Sequence, residues 1–382
     1  MLLRELGLIA IIRAVILKLF KPFYILLLIV IVVPIVAGMY AWERIGAMAE
    51  YVLKPMNEKY EGLSIIPEHP QGMNFTDISF IGKDGTPITA MIAEKDTSSE
   101  LDTVPKNKDM QPARKIDYAL ICVDWDYGIR SSMELAEYLM AAGIRCVLWE
   151  PRGKDNARTY CTHGLRESED VPLLIDALAA KCGKERPIIV AIGQRFGAGL
   201  LLKAAAADDR IRGIIAIDAF VSLHEALRRN MEDTLVNKVK LELVDFYITK
   251  TVGFDCFNVA PAEFATNISR ETPALTISIH DHPIHSLKDA LTIYRQLPSD
   301  TKEAWAIRGK DDPADATVRQ EKCLIGQGEN ERVYEFELQL KNDKEAVYTD
   351  IVLWLQNQFL SAIDKPHINI PQHPAHPAGW HH

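Results

Sequence analysis

No two of the six cysteines in this 382-residue chain stand in a CxxC spacing. Cys122, Cys146 and Cys323 are isolated, the first two inside apolar strand-like runs. That argues against a disulfide framework and for free, mostly buried thiols. Net positive charge is lacking as well. The formal charge is −9 at pH 7, which argues against general nucleic-acid affinity, since that requires a basic face. No internal repeat is visible, and no cofactor is expected. What remains is a globular composition, 48% hydrophobic and 25% charged. The length suits one large domain or two ordinary ones.

Charge is also absent from one long stretch. Phe23 to Met39 reads FYILLLIVIVVPIVAGM. With Tyr40, Ala41 and Trp42 it reaches the roughly 20 residues that a bilayer-spanning helix needs. Tyr24 at one end and Tyr40 and Trp42 at the other suit interfacial aromatic belts. Residues 1–22 form a basic amphipathic segment carrying Arg4, Arg13, Lys18 and Lys21 against Glu5, whereas Glu43, Arg44, Glu50 and Lys54 after the run are mixed in sign. The positive-inside rule therefore puts the N-terminus in the cytoplasm and the large domain across the membrane, periplasmic in a bacterium. The competing reading is a cleaved signal peptide ending at Val36-Ala37-Gly38; the long basic segment and the long apolar run favour an uncleaved anchor. Residues 43–72 read as a juxtamembrane linker. The Pro- and His-rich end, 366–382, reads as a disordered tail.

Between these ends the pattern is first antiparallel, then alternating. NFTDISFIG and TPITAMIAE, joined through Asp84-Gly85, predict a hairpin. IDYALICVD, IRCVLWE, RPIIVAIG, IRGIIAID, PALTISIHD and KEAWAIRG are continuous apolar runs separated by helical patterns. That predicts a parallel sheet covered on both faces. Residues 219–270 interrupt the alternation with helical sequence, an insertion in the position of a cap. The predicted domain spans residues 73–365, closed by a helix from about Lys344 to Ile363.

Several motifs stand at particular points of this alternation: Glu150-Pro151-Arg152-Gly153 after the second parallel strand, then Gly164, Glu167 and Asp170 before a helix, then Gly193-Gln194-Arg195-Phe196-Gly197 after the third. In this order they resemble the serine-peptidase- and esterase-like members of the α/β-hydrolase superfamily. Those members carry Asp-x-Arg-Gly, Gly-x-x-Glu-x-x-Asp and the nucleophile elbow Gly-x-Ser-x-Gly at the corresponding places. The resemblance covers about Asn74 to Ile363. It implies an α/β fold, a mostly parallel sheet with helices on both faces and a helical cap, here preceded by a transmembrane helix.

The family's chemistry is not matched. A serine at the elbow attacks after losing its proton to histidine; Arg195 is permanently cationic and cannot. The family's oxyanion His-Gly falls on Asp124-Trp125. Trp125 is bulky where backbone must approach a substrate, and Asp124 repels an oxyanion. The loop that carries the family's histidine reads RGKDDPADA, with Asp311 and no histidine. Asp281 alone is a candidate for the triad acid.

Several readings of the altered site stand side by side. Arg195 ties the loops together through Asp124, Asp126, Asp281 or Asp311, since a buried arginine needs carboxylate partners. Or Arg195, with Gln194, Asp124, Asp126 and Asp281 around it, binds an anionic small molecule or a protein partner at a helix N-terminus. His280, His282 and His285 offer a metal triplet without an identified fourth ligand. Cys161 and His163 offer a thiol pair without an orienting carboxylate. The expectation is a membrane-anchored domain that binds a ligand or partner without catalysis, the alternative being an ester or peptide hydrolase that uses non-standard residues or a metal.

Overall fold

The computed structural model describes residues 30–50, 52–53, 73–96, 116–122, 129–149, 151, 160–229, 231, 233–279, 286–309, 322–324, 333–338 and 344–359. Two compact units divide them. One comprises the described parts of Met1–Lys54 and Asp233–Cys256; the other comprises the rest.

The larger unit is built on a sheet of ten strands among the described residues. It opens with the expected hairpin, β1 (Met73–Ile81) and β2 (Pro87–Lys95), paired antiparallel from Met73↔Lys95 to Ile81↔Pro87. The turn closes through Gly85 at φ 86° and through Asp84, whose carboxylate accepts from Thr86 N at 3.0 Å. Next come β3 (Tyr118–Cys122), β4 (Arg145–Trp149), β5 (Ile189–Gln194), β6 (Ile211–Ile217), β7 (Ala274–Ile279) and β8 (Lys302–Gly309). Their spatial order is β1-β2-β4-β3-β5-β6-β7-β8. All pairings from β4 to β8 are parallel, while β2 meets β4 antiparallel.

Continuous apolar strands are what two covered faces demand. Tyr118, Leu120 and Cys122 of β3 point into a core shared with α3 (Val171–Cys182), α4 (Phe196–Ala207) and α8 (Leu287–Gln296). Ala119 and Ile121, one residue out of step, point into the opposite core with α2 (Met133–Ala141) and α9 (Lys344–Phe359). The period-two alternation of a strand thus supplies two hydrophobic layers from one run of sequence.

The structure adds two strands that the sequence pattern does not announce. β10 (Val333–Leu338) pairs parallel with β8, and β9 (Lys322–Leu324) pairs antiparallel with β10. VYEFEL alternates apolar and charged residues, the pattern of a strand with one wet face, and is too short to separate from loop without its partners. The 219–270 segment is helical: α5 (Leu223–Arg229), α6 (Leu235–Val252), a 3-10 turn at Cys256–Asn258 and α7 (Pro261–Ala265). Of these, α6 belongs to the smaller unit.

That smaller unit pairs α6 with α1 (Val30–Glu50), a helix long and apolar enough to cross a membrane. The helix runs past the end of the uncharged stretch, through residues 43–50, where a linker was expected. Ile45 and Ala49 are buried there, whereas Val30 to Trp42 is exposed. Trp42 meets Tyr247 at 5.2 Å between ring centroids, and a Cβ on Gly46 would lie 3.3 Å from the Tyr247 hydroxyl.

Candidate functional site

At the carboxyl edge of the sheet, β5 ends at Gln194 and α4 begins at Phe196, leaving one residue for the whole change of direction. That residue, Arg195, has φ 51° and ψ −111°, a conformation L-residues rarely adopt and one that costs about 1–3 kcal/mol. It persists because its surroundings over-determine it. Arg195 N donates to Ile217 O at 2.7 Å, and its own carbonyl accepts from Ala198 N and Gly199 N. A Cβ on Gly193 would sit 2.4 Å from Ala198 Cα, and one on Gly197 would sit 2.0 Å from Cys122 O. Only hydrogen fits at either place. An elbow of this kind on β5, in a sheet of order β1-β2-β4-β3-β5-β6-β7-β8 with the second strand antiparallel, decides the architecture. This is the α/β-hydrolase fold.

No family model and no curated protein matches the sequence. Solved structures do resemble it. The esterase domain of a Rhodothermus marinus protein aligns over 74% of this chain and 98% of its own, at 15% identity and TM-score 0.43. The Pyrococcus furiosus esterase Pf2001 aligns over 79% and 95%, at 10% identity and TM-score 0.46. DcsB, solved in complex with its substrate analogue, aligns over 75% and 100%, at 12% identity and TM-score 0.48. Likeness at these levels carries no activity across to this chain.

An α/β-hydrolase elbow normally presents a nucleophile. Here it presents the half-buried guanidinium-bearing Arg195 beside half-buried Gln194. The segment behind the elbow is held by the second motif. Glu167, fully buried, accepts from Thr162 N at 2.7 Å, Thr162 Oγ1 at 2.7 Å and Gly164 N at 2.9 Å. A buried carboxylate surrounded by donors fixes a turn firmly. Asp170, also fully buried, accepts from Lys83 N at 3.3 Å and so ties the same segment to the β1–β2 turn. Gly164, at φ 97°, lies against α4, where a Cβ would come 3.0 Å from Leu200 Cα. Lys203 of α4 donates to Leu165 O, and burial pushes its ammonium below the ordinary value of 10.5. The motif's glycine and acids therefore brace the elbow helix.

The thiol pair does not form a reactive centre in this geometry. Cys161 is fully buried, and its Sγ accepts from the His163 backbone N–H at 3.3 Å. The His163 ring lies edge-on to Phe196 at 5.8 Å. A substrate-attacking thiolate needs access and a stabilising positive environment, and burial denies the first.

One acid at this edge escapes motif reading. Asp218 closes β6 at φ 50°, is 7% exposed, and accepts from Ile279 N at 2.7 Å across the end of β7. Its backbone N–H also reaches Ile277 O at 2.8 Å. It stands next in chain to Ile217, whose carbonyl holds Arg195. The signal was the final residue of IRGIIAID, an acid ending an otherwise buried strand.

Behind the β7 loop, α8 starts on a capping box. Ser286 Oγ accepts from Asp289 N, and Asp289 Oδ2 accepts from Ser286 N, both at 3.3 Å. Asp289 is fully buried, and Arg229 Nη2 of α5 donates to its Oδ1 at 3.0 Å. The chain is thus pinned directly after His285.

Of the expected site residues, Gln194 and Arg195 are placed at the elbow. Asp124, Trp125, Asp126, His280, Asp281, His282, His285 and Asp311 lie outside the described residues. In sequence they follow β3, β7 and β8, whose carboxyl ends share an edge with Arg195. Among the described residues no group of three metal-ligating side chains occurs. Cys122, Cys146, Cys161, Cys182 and Cys256 are free thiols, and all of these but Cys182 are buried. Trp149 and Trp305 are core residues, each 1% exposed.

Proposed function

We propose that this chain is a membrane-anchored α/β-hydrolase-fold protein whose elbow binds an anionic ligand, a carboxylate or a phosphate, and does not hydrolyse it. The observation that carries the reading is Arg195 at the tip of the elbow. It adds a fixed positive charge at the N-terminus of the twelve-residue α4, where the helix dipole already favours an anion. The guanidinium is a fork for two oxygens and has no electron pair with which to attack carbon. The length and apolar composition of α1 support the anchoring. The basic residues Arg4, Arg13, Lys18 and Lys21 before the apolar run support a cytoplasmic N-terminus, with the sheet unit on the far side.

The test uses the full chain in detergent. Thermal melts are recorded against inorganic phosphate and against short carboxylates, alongside turnover of a panel of esters and peptides. The expected result is a rise in melting temperature with one anion class, near 2.7 kcal/mol of stabilisation at about one hundred times Kd. Arg195→Ala should abolish the rise and Arg195→Lys reduce it. An equal rise in Arg195→Ala, or protein-dependent turnover that chelator or that substitution removes, overturns the proposal.

A further inference from the structure

Helix α6 is apolar on two opposite sides. Leu241, Val244 and Ile248, spaced by three and four, are buried. Val236, Val239, Leu243 and Phe246 follow the same spacing around the other side and are 63%, 51%, 42% and 50% exposed, with Leu235 beside them at 76%. A helix of this pattern needs two apolar environments, and the packed face accounts for one. Single exposed apolar residues are ordinary, but five on one face of one helix are not.

The neighbour of α6 within its unit says what the second environment is. That neighbour is α1, whose own outward residues from Val30 to Trp42 are apolar and exposed. The two helices meet where the apolar run ends, at Trp42 and Gly46 against Tyr247. Trp and Tyr at the end of a span mark the headgroup level, so α6 is attached to the span at that depth. Lys240 and Lys250 are exposed on and beside the outward face, and Lys250 Nζ lies 5.6 Å from the Phe246 ring centroid. Lys238, also exposed, pairs with Asp233 at 2.8 Å, and Glu242 is the acid at the margin of the face. Apolar residues interleaved with lysines suit the boundary between anionic headgroups and acyl chains.

We infer that the outward face of α6, Leu235, Val236, Val239, Leu243 and Phe246, rests in the bilayer interface beside the α1 span and makes a second membrane contact, with lysines turned to anionic headgroups. The inference rests on reading α1 as a span, and the experiment separates the two claims. The full chain carries a photoreactive benzoylphenylalanine at Leu243, at Val239, at Val32 on the exposed face of α1, or at Glu185 on the exposed surface of the sheet unit. Each variant is reconstituted into phosphatidylcholine vesicles, with and without phosphatidylglycerol, irradiated, and read by mass spectrometry of the adducts. Lipid adducts at Val32, Leu243 and Val239, absent from Glu185 and enriched in phosphatidylglycerol at the α6 positions, are the expected result. Lipid adducts at Val32 with none at Leu243 and Val239 overturn the α6 contact and leave the span standing. Adducts at the α6 positions without any at Val32 support the contact and overturn the span. Covalent dimers from Leu243 or Val239 show that a second copy covers the face and overturn the inference.

Discussion

At the β5–α4 elbow, Gly193 and Gly197 let backbone pass against backbone, and every apolar residue of α4 except Ala206 and Ala207 at its far end is buried. Along α6, residues of the same apolar character are divided, Leu241 inside and Leu243 outside, two positions apart. The elbow is a place where the fold leaves no room, and a single methyl collides with main-chain atoms. Helix α6 is a place where the fold leaves apolar surface uncovered. Close packing around the elbow preserves its shape even with arginine in the nucleophile's position, because the shape is held by backbone contacts and not by the side chain at the tip. The outward face of α6 is exposed among the described residues and takes its meaning from what surrounds it.

The difference can be broken most directly at Gly197. Gly197→Ala places a methyl 2.0 Å from Cys122 O, an overlap with backbone that no rotamer relieves. The expected loss is at least about 3 kcal/mol, read as the shift of the denaturant midpoint at constant m-value. If the variant melts like the parent, the elbow is looser than described. The contrast within α6 comes next. Leu241→Ala at a 3% exposed position should cost about 3 kcal/mol. Leu243→Ala, 42% exposed, should cost less than about 1 kcal/mol in detergent. Equal losses would mean that both faces are packed.

A buried polar brace is expected to matter less than either. Glu167→Gln keeps the shape but turns an amide N–H₂ toward the donors Thr162 and Gly164, for a loss of about 2 kcal/mol in the same denaturation assay. The smallest effect concerns pH. Glu225 is held down to about 2 by the hydrogen bond from Arg228, with the charges of Arg228 and Arg229 outweighing its partial burial. Its folded value is depressed from 4.5. Its contribution is therefore complete above that pH and is lost as pH falls toward 2. Arg228→Gln should shallow the acid limb of melting temperature against pH between these two values. An unchanged acid limb would show that the pair contributes nothing.

Much of the sheet is legible in the chain itself, because a strand buried on both faces leaves a continuous apolar run. IDYALICVD, RPIIVAIG and IRGIIAID announce β3, β5 and β6 to within two or three residues. The elbow is legible for a steric reason: Gly193 and Gly197 stand where only hydrogen fits. The end of the sheet beyond β8 is harder. VYEFEL becomes β10 only by lying along β8, a pairing between segments distant in sequence. Asp218 was visible as the end of a strand and not as a neighbour of the elbow, since that depends on the register Gln194↔Ile217. The 219–270 insertion was legible as helices, while the association of α6 with α1 brings residues 42–46 to residue 247 and leaves no local trace.

The amino-acid sequence by itself determined the alternation of strands and helices, the bend at residues 193–197, the charge at its tip and the apolar helix near the N-terminus. Each follows from side-chain size, period or charge acting within a few residues. Only the tertiary structure decided that Glu167 and Asp170 brace the elbow segment, that β10 extends the sheet, and which side of α6 is covered. Those outcomes depend on which distant surfaces meet, and burial between distant segments is a property of the folded chain.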